Sequence, residues 1–344
     1  MIRPSTACGT YRTPPHGQPA RTTERGNTLR TDVRFNSNGL RIAAHLYTPG
    51  DGTQTRGPAI VIGHTGSGVK EQAAGLYAQR LSGHGFITLA FDAAYQGESE
   101  GEPHGLEDPA QRVEDFKAAV SYLSARDDLV DPERIGALGI CGSGGYLVAA
   151  ATGDHRLKAV ATVSGTDLAA HFRHGGDGAQ DPQVFQAMLA AAAAARSAEA
   201  RGEGTQMFPL FPRTPEEAFA RGGEYGREGF EYYCTDRGQH PRSTKLLPWS
   251  SIDRMAFFDA FQYAHLIAPR PLLLIAGRLA VTSWMSVNAY QRAREPKELY
   301  WIEGASHIDL YDRDEYVEPA VTKLADFYAA SLAGAVAEVA ARAS

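Results

Sequence analysis

The chain has 344 residues, 43% of them hydrophobic, enough for one large domain with elaborations or for two domains. A net charge of −6 with no basic stripe speaks against a nucleic-acid partner, and no apolar run is long enough to span a membrane. The three cysteines, Cys8, Cys141 and Cys234, are odd in number and far apart, which fits neither a disulfide framework nor a metal motif and suggests a reducing, cytoplasmic setting.

Residues 1–26 are rich in Arg, Thr, Pro and Gly and lack an apolar signal segment, so a disordered tail is expected there. From Val33 to Tyr47 two strand-like runs flank "NSNG", a hairpin signal. "AIVIG" (59–63) and "FITLAFD" (86–92) read as strands buried on both faces, with a helical pattern over 71–81 between them. Asp108 followed by Pro109 is a helix start, and the helix after it aligns Val113, Phe116, Val120 and Leu123 on one face. Two more buried strands follow, "RIGALGI" (134–140) and "LKAVATVS" (157–164). Strands alternating with helices at this spacing predict a parallel sheet covered on both sides.

After Ser164 the rhythm breaks, and it resumes only with "PLLLIAG" (271–277), "ELYWIEG" (298–304) and a last helix from about Val317. A gap of this length is too long for a structureless loop. It holds a helix start at Asp181-Pro182, an alanine run and an aromatic stretch. The expected organisation is therefore a core of residues 27–165 and 265–344, with 166–264 inserted as a mostly helical cap. The cap would lie over the C-terminal edge of the sheet, where open α/β sheets bind ligands.

Between the third strand and its helix stands "LGICGSGGY" (138–146), a strand, a Gly-rich turn and a helix. That sequence fits a nucleophile elbow, in which a tight turn lifts one side chain out of the sheet and demands small neighbours. If the strand ends at Gly139, Cys141 is the nucleophile and Ser143 takes the small position two residues on. If the strand runs two residues further, Ser143 is the nucleophile and Gly145 takes that position. The strand end favours Cys141, whose plainer reading is a small buried hydrophobe.

The stretches "GHTGSGVKEQ", "LAFDAAYQGESEGEP", "GICGSGG" and "PKELYWIEGASHIDLYD" together resemble the dienelactone hydrolase-like branch of the α/β-hydrolases, some of whose members serve polyketide pathways. The resemblance runs from about residue 30 onward. It implies an α/β-hydrolase fold, a doubly wound and mostly parallel sheet with a helical cap. It implies a catalytic His at His307, on the loop after the last strand. One oxyanion donor is the N–H of Gly142, next to the nucleophile, and analogy with the family places the other at Thr65. His64 beside it either lines the site or is structural. Asp92 more often ties loops together than does chemistry.

The acid that should orient the His is missing from its usual loop, "GRLAVTSWMSVN", which has no Asp or Glu. Asp167, just past the following strand, is the candidate, with a helix N-cap as its bland alternative. Glu303 and Asp309 flank His307 but are badly placed to reach its ring, and a Cys–His pair without an acid is also viable. His171 and His174 sit at helical spacing without further ligands, so no metal and no cofactor is expected. Tyr232, Tyr233, Trp249, Phe257, Phe258 and Phe261 of the insertion, with Trp284, form either the cap's own core or an apolar pocket over Cys141. Tyr232, Trp249, Phe258, Trp284 and His64 are the expected substrate contacts. The expected activity is cleavage of an ester, thioester or lactone of a small-molecule substrate with a bulky, apolar acyl group, through a thioacyl-enzyme. An acyltransferase or product-releasing cyclase would use the same residues, and a non-catalytic binding protein would fit the missing acid.

Overall fold

The computed structural model describes residues 28–50 and 56–333; the expected tail and Cys8 lie outside them. The chain opens with a hairpin of β1 (Thr28–Ser37) and β2 (Leu40–Pro49). Its turn residues Asn38 and Gly39 both have positive φ, 49° and 87°, as a two-residue hairpin turn requires. β3 (Gly57–Gly63), α1 (Ala73–Gly83), β4 (Ile87–Phe91), α2 (Pro109–Ser124), β5 (Val130–Ile140), α3 (Gly142–Gly153) and β6 (Leu157–Val163) then alternate as βαβ units. Asp108 caps α2 by accepting from the backbone N–H groups of Ala110 and Gln111. Within β4 every residue is buried, because helices cover both faces.

Between β6 and the next sheet strand the chain builds α4 (Leu168–His174), α5 (Pro182–Ala200), β7 (Met207–Pro209), α6 (Pro215–Cys234), β8 (Leu246–Pro248) and α7 (Ser250–Met255). β7 and β8 pair as a short antiparallel ribbon beside the four helices. The alanine run turns Ala192, Ala195 and Ala198 inward on α5. Phe172, Phe185, Leu247, Ile252 and Met255 close a separate small core. α6 is two helices end to end, broken at Gly222 and Gly223, the latter with φ 57°. The last part of the aromatic stretch does not belong to this cap, because Ala260, Phe261 and Ala264 pack into the main core.

β9 (Leu272–Gly277), α8 (Ser283–Arg292), β10 (Lys297–Ile302), α9 (Asp309–Asp312) and α10 (Asp314–Ser331) complete the chain. The eight-stranded sheet has the order β1-β2-β4-β3-β5-β6-β9-β10, parallel from β4 to β10. This is the α/β-hydrolase arrangement the sequence led us to expect. α1 and α10 cover one face around Tyr77 and Tyr328, and α2, α3 and α8 cover the other around Phe116, Leu147 and Met285. The order reverses beside β3, so the loops after β3 and β5 diverge at the carboxyl edge and leave a crevice between them. No helix among the described residues is long and apolar enough to cross a membrane.

Candidate active site

The elbow forms because β5 stops at Ile140 and α3 starts at Gly142, leaving a single residue to reverse the chain. That residue is Cys141, with φ 54° and ψ −122°, a conformation that L-residues avoid unless their surroundings impose it. Three backbone bonds impose it here. The Cys141 N–H donates to the Val163 carbonyl at 3.0 Å, and its own carbonyl accepts from Gly144 at 2.8 Å and Thr166 at 2.9 Å. Gly139 makes the turn sterically possible, since a Cβ there would lie 2.3 Å from the Ser143 carbonyl oxygen. The Ser143 hydroxyl donates back to the His64 carbonyl and is fully buried. Of the two candidates, Cys141 stands at the turn and Ser143 anchors it.

Cys141 lies on the floor of a cavity of about 770 Å³. The cap supplies an apolar wall that includes Leu168, Phe172, Met188, Phe208, Phe211 and Leu247. Around the thiol the floor is aromatic and polar, with Tyr225, Tyr233, Tyr311, Thr166 and Gly66. The Thr166 hydroxyl sits 3.7 Å from Sγ, within hydrogen-bond reach of the thiol. Burial pushes the phenols of Tyr233 and Tyr311 well above their usual range, so both are neutral donors.

His307 follows β10 on a loop whose backbone is held by Ser164, which donates its hydroxyl to the His307 carbonyl at 3.0 Å. Its Nε2 lies 2.8 Å from the Tyr311 hydroxyl, and its Nδ1 is hydrogen-bonded to Thr282 Oγ1. Tyr225 packs edge-on against the ring at 5.3 Å. Burial holds the imidazole down to about 4, opposed by the Glu228 carboxylate, so His307 is a neutral base at pH 7. Thr282 thus takes the place next to His307 where the superfamily puts an acid.

Asp167 does not reach His307. Its carboxylate caps α4 through the Ala170 N–H at 3.1 Å and holds the end of the insertion through the Ala260 N–H at 3.1 Å. Two backbone donors and the nearby Arg173 fix it away from the imidazole. Thr65, the expected oxyanion donor, is buried immediately before Gly66 and Ser67, which border the cavity, and its hydroxyl accepts from Tyr233 at 2.6 Å. The Gly66 nitrogen lies 3.6 Å from where a Cβ on Gly142 would stand, so the loop after β3 runs beside the residue that follows Cys141.

None of the five expected substrate contacts is among the residues that line the cavity. His64 is a strut: Nδ1 pairs with the Thr65 carbonyl at 2.7 Å, and Nε2 accepts from the Ala93 N–H at 3.0 Å with the Arg112 guanidinium at 3.1 Å. Tyr232 accepts from the Ala73 N–H and packs edge-on against Tyr311. Trp249 packs on Phe208 within the cap core. Phe258 packs on Tyr146 of α3. The Trp284 indole donates to the Gly176 carbonyl at 2.8 Å. Of the aromatic residues singled out from the sequence, Tyr233, adjacent to Tyr232, lines the cavity. Phe257 points to solvent. Asp92 ties loops together, accepting from Lys70 and from the Glu98 N–H. Among the described residues no group of three or more His, Cys, Asp or Glu side chains could hold a metal ion.

The residues that sequence reasoning missed are Tyr225, Tyr311, Thr282 and Gly66. Tyr311 carried a signal, because it follows His307 by four residues in "HIDLY", the spacing that stacks side chains on one helical face.

A model of the X-Pro dipeptidyl-peptidase (S15) family matches residues 38–309. The chain belongs to this family. Among relatives of the S15 chain, YcjY of Escherichia coli K12 is 38% identical over 85% of this chain and 95% of its own length. The crystal structure of PA2218 from Pseudomonas aeruginosa superposes with a TM-score of 0.82 at 34% identity, over 92% of this chain and 100% of that one. The polyketide transferase grgF of a Penicillium species is 24% identical over 87% of this chain and 95% of its own length. Its crystal structure, titled as an α/β-hydrolase, superposes with a TM-score of 0.76. The S15 chain is thus an α/β-hydrolase among hydrolytic and group-transferring enzymes, with a relative named for polyketide chemistry.

Proposed function

We propose that this α/β-hydrolase cleaves esters, thioesters or lactones of apolar acyl groups through a thioester on Cys141. The observation that carries this is Cys141 itself, held at positive φ in a cavity whose cap side is largely apolar, with His171, Asp177, Gln180, Arg221 and Glu224 among its lining. In this reading neutral His307 is the base for the thiol proton, and the thiolate attacks the acyl carbonyl. The Gly66 and Gly142 N–H groups receive the developing oxyanion. The tetrahedral intermediate then expels the leaving alkoxide or thiolate, which takes the proton from imidazolium. Water drawn to His307 releases the acyl group as an acid.

Transfer to an alcohol or amine is the second reading. It is favoured by the relative named a polyketide transferase. The test is intact mass after incubation with p-nitrophenyl esters, acyl thioesters and an X-Pro anilide, on wild type and on Cys141→Ala, Ser143→Ala and His307→Ala. An acyl adduct that survives Ser143→Ala and vanishes with Cys141→Ala supports the proposal. An adduct lost with Ser143→Ala, turnover of the anilide alone, or no adduct with any substrate overturns it. Products formed with and without a competing alcohol separate hydrolysis from transfer.

A further inference from the structure

Resting on the reading of Cys141 as nucleophile, we propose that His171 and Tyr225 form a polar subsite for an uncharged oxygen, hydroxyl or carbonyl, on the leaving group of the substrate. Both side chains line the cavity that holds Cys141. Their rings pack together at 5.7 Å, and Tyr225 packs in turn on His307 at 5.3 Å. Gly176 backs both rings: a Cβ there would stand 3.2 Å from Tyr225 Cδ1 and 3.5 Å from His171 Cε1. The Trp284 indole holds that backbone by donating to the Gly176 carbonyl at 2.8 Å.

What sets the two apart is that their polar atoms are unpaired. Gln180, Tyr233 and Tyr311 line the same cavity, and each is committed: Gln180 to the Phe172 carbonyl at 2.8 Å, Tyr233 to the Thr65 hydroxyl at 2.6 Å and Tyr311 to His307 Nε2 at 2.8 Å. Among the described residues, neither the His171 imidazole nor the Tyr225 hydroxyl has a hydrogen-bond partner. Arg221 is unpaired too, but it is exposed, where water serves it. Burial holds His171 down to about 4, so its ring is neutral at pH 7 and offers one donor and one acceptor beside the phenol O–H. An uncharged oxygen fits that set. The leaving atom collects its proton from His307, and Tyr225 is the ring that joins His307 to His171, which puts the pair on the leaving-group side of the acyl carbon. In transfer, the same subsite would receive the acceptor.

The test measures kcat/KM for thioesters of one apolar acid whose leaving thiols are hydroxyalkyl, ketoalkyl or plain alkyl chains of matched size, over a series of lengths. It compares wild type, Tyr225→Phe and His171→Phe, with circular dichroism as a check on folding. A plain alkyl chain covers both polar atoms without replacing their water, so wild type should prefer the oxygenated thioester at its best length by roughly 10- to 100-fold. Each variant should bring that ratio toward one. A ratio taken within one protein is not moved by a general loss of activity. The hydroxyl and keto series tell the two ligands apart. A ratio near one at every length in wild type overturns the proposal, and so does a folded variant that keeps the wild-type ratio. If neither variant folds, the wild-type series decides. Failure of the underlying reading looks different: wild type then gives no Cys141 adduct with a p-nitrophenyl ester.

Discussion

Gly139→Ala should disable the elbow while the rest of the fold survives. The new Cβ would lie 2.3 Å from the Ser143 carbonyl oxygen and 2.6 Å from Gly144 Cα, against about 3.4 Å for ordinary contact. Both neighbours are backbone of the first turn of α3, so no side chain can swing aside. The start of α3 must retreat by about 1 Å, and Cys141 and the Gly142 N–H move with it. Overpacking of this kind costs roughly 1–3 kcal/mol, and a 1 Å misplacement of reacting groups costs on the order of 10²-fold in rate. The assay pairs kcat/KM on a p-nitrophenyl ester with the melting temperature, expected to fall by roughly 4–10 °C. Gly153→Ala, at the far end of the same helix, is the control, because nothing lies within 4 Å of its Cβ position. It should match wild type or gain up to about 1 kcal/mol. A Gly139→Ala protein with wild-type rate and melting temperature would refute the account of the turn.

Asp167→Ala should cost about 1–2 kcal/mol through the lost cap and the lost Ala260 bond, with kcat within a few-fold of wild type; a loss near 10⁴-fold would mark it as a triad acid after all. Arg112→Met leaves the Glu107 carboxylate, paired at 2.8 Å and buried, without its cation. Chemical denaturation should show a loss of about 3–5 kcal/mol, largely restored by pairing it with Glu107→Leu, and a loss below about 1 kcal/mol would contradict the role. His171 and His307 are both held by burial from 6.5 down to about 4, so the folded state binds fewer protons than the unfolded one between these values. Their contribution is present above pH 6.5 and lost as pH falls toward 4, at most about 3 kcal/mol each. Melting temperature against pH should therefore fall less steeply in His171→Asn across this window, and an unchanged slope would contradict the assignment.

The scaffold was legible because its signals are local. Buried apolar runs marked β3 to β6 and β9, an aromatic run marked the half-exposed edge strand β10, and the pairs Asn38-Gly39, Asp108-Pro109 and Asp181-Pro182 marked a turn and two helix starts. Cys141 was legible for the same reason, since a one-residue reversal leaves few spellings. The surroundings of His307 were not. A search for an orienting carboxylate passes over Thr282 because threonine carries no charge, and Asp167 fits the chain order while its side chain is committed to two amides. Aromatic residues gave no direction either. Tyr232 and Tyr233 are neighbours about 100° apart around α6, and only the seating of that helix decides which one faces the thiol.

The two glycines that interrupt α6 divide the cap by duty. Tyr225 and Tyr233, which line the cavity beside the thiol, follow the break; Ala218 and Arg221, which also line it, precede the break. Phe211, before the break, nevertheless stacks on Tyr233 at 4.8 Å. Altered preference for the acyl group should therefore be sought first at Phe208, Leu210 and Arg221, which line the cavity before the break, with Phe211 kept because it holds Tyr233.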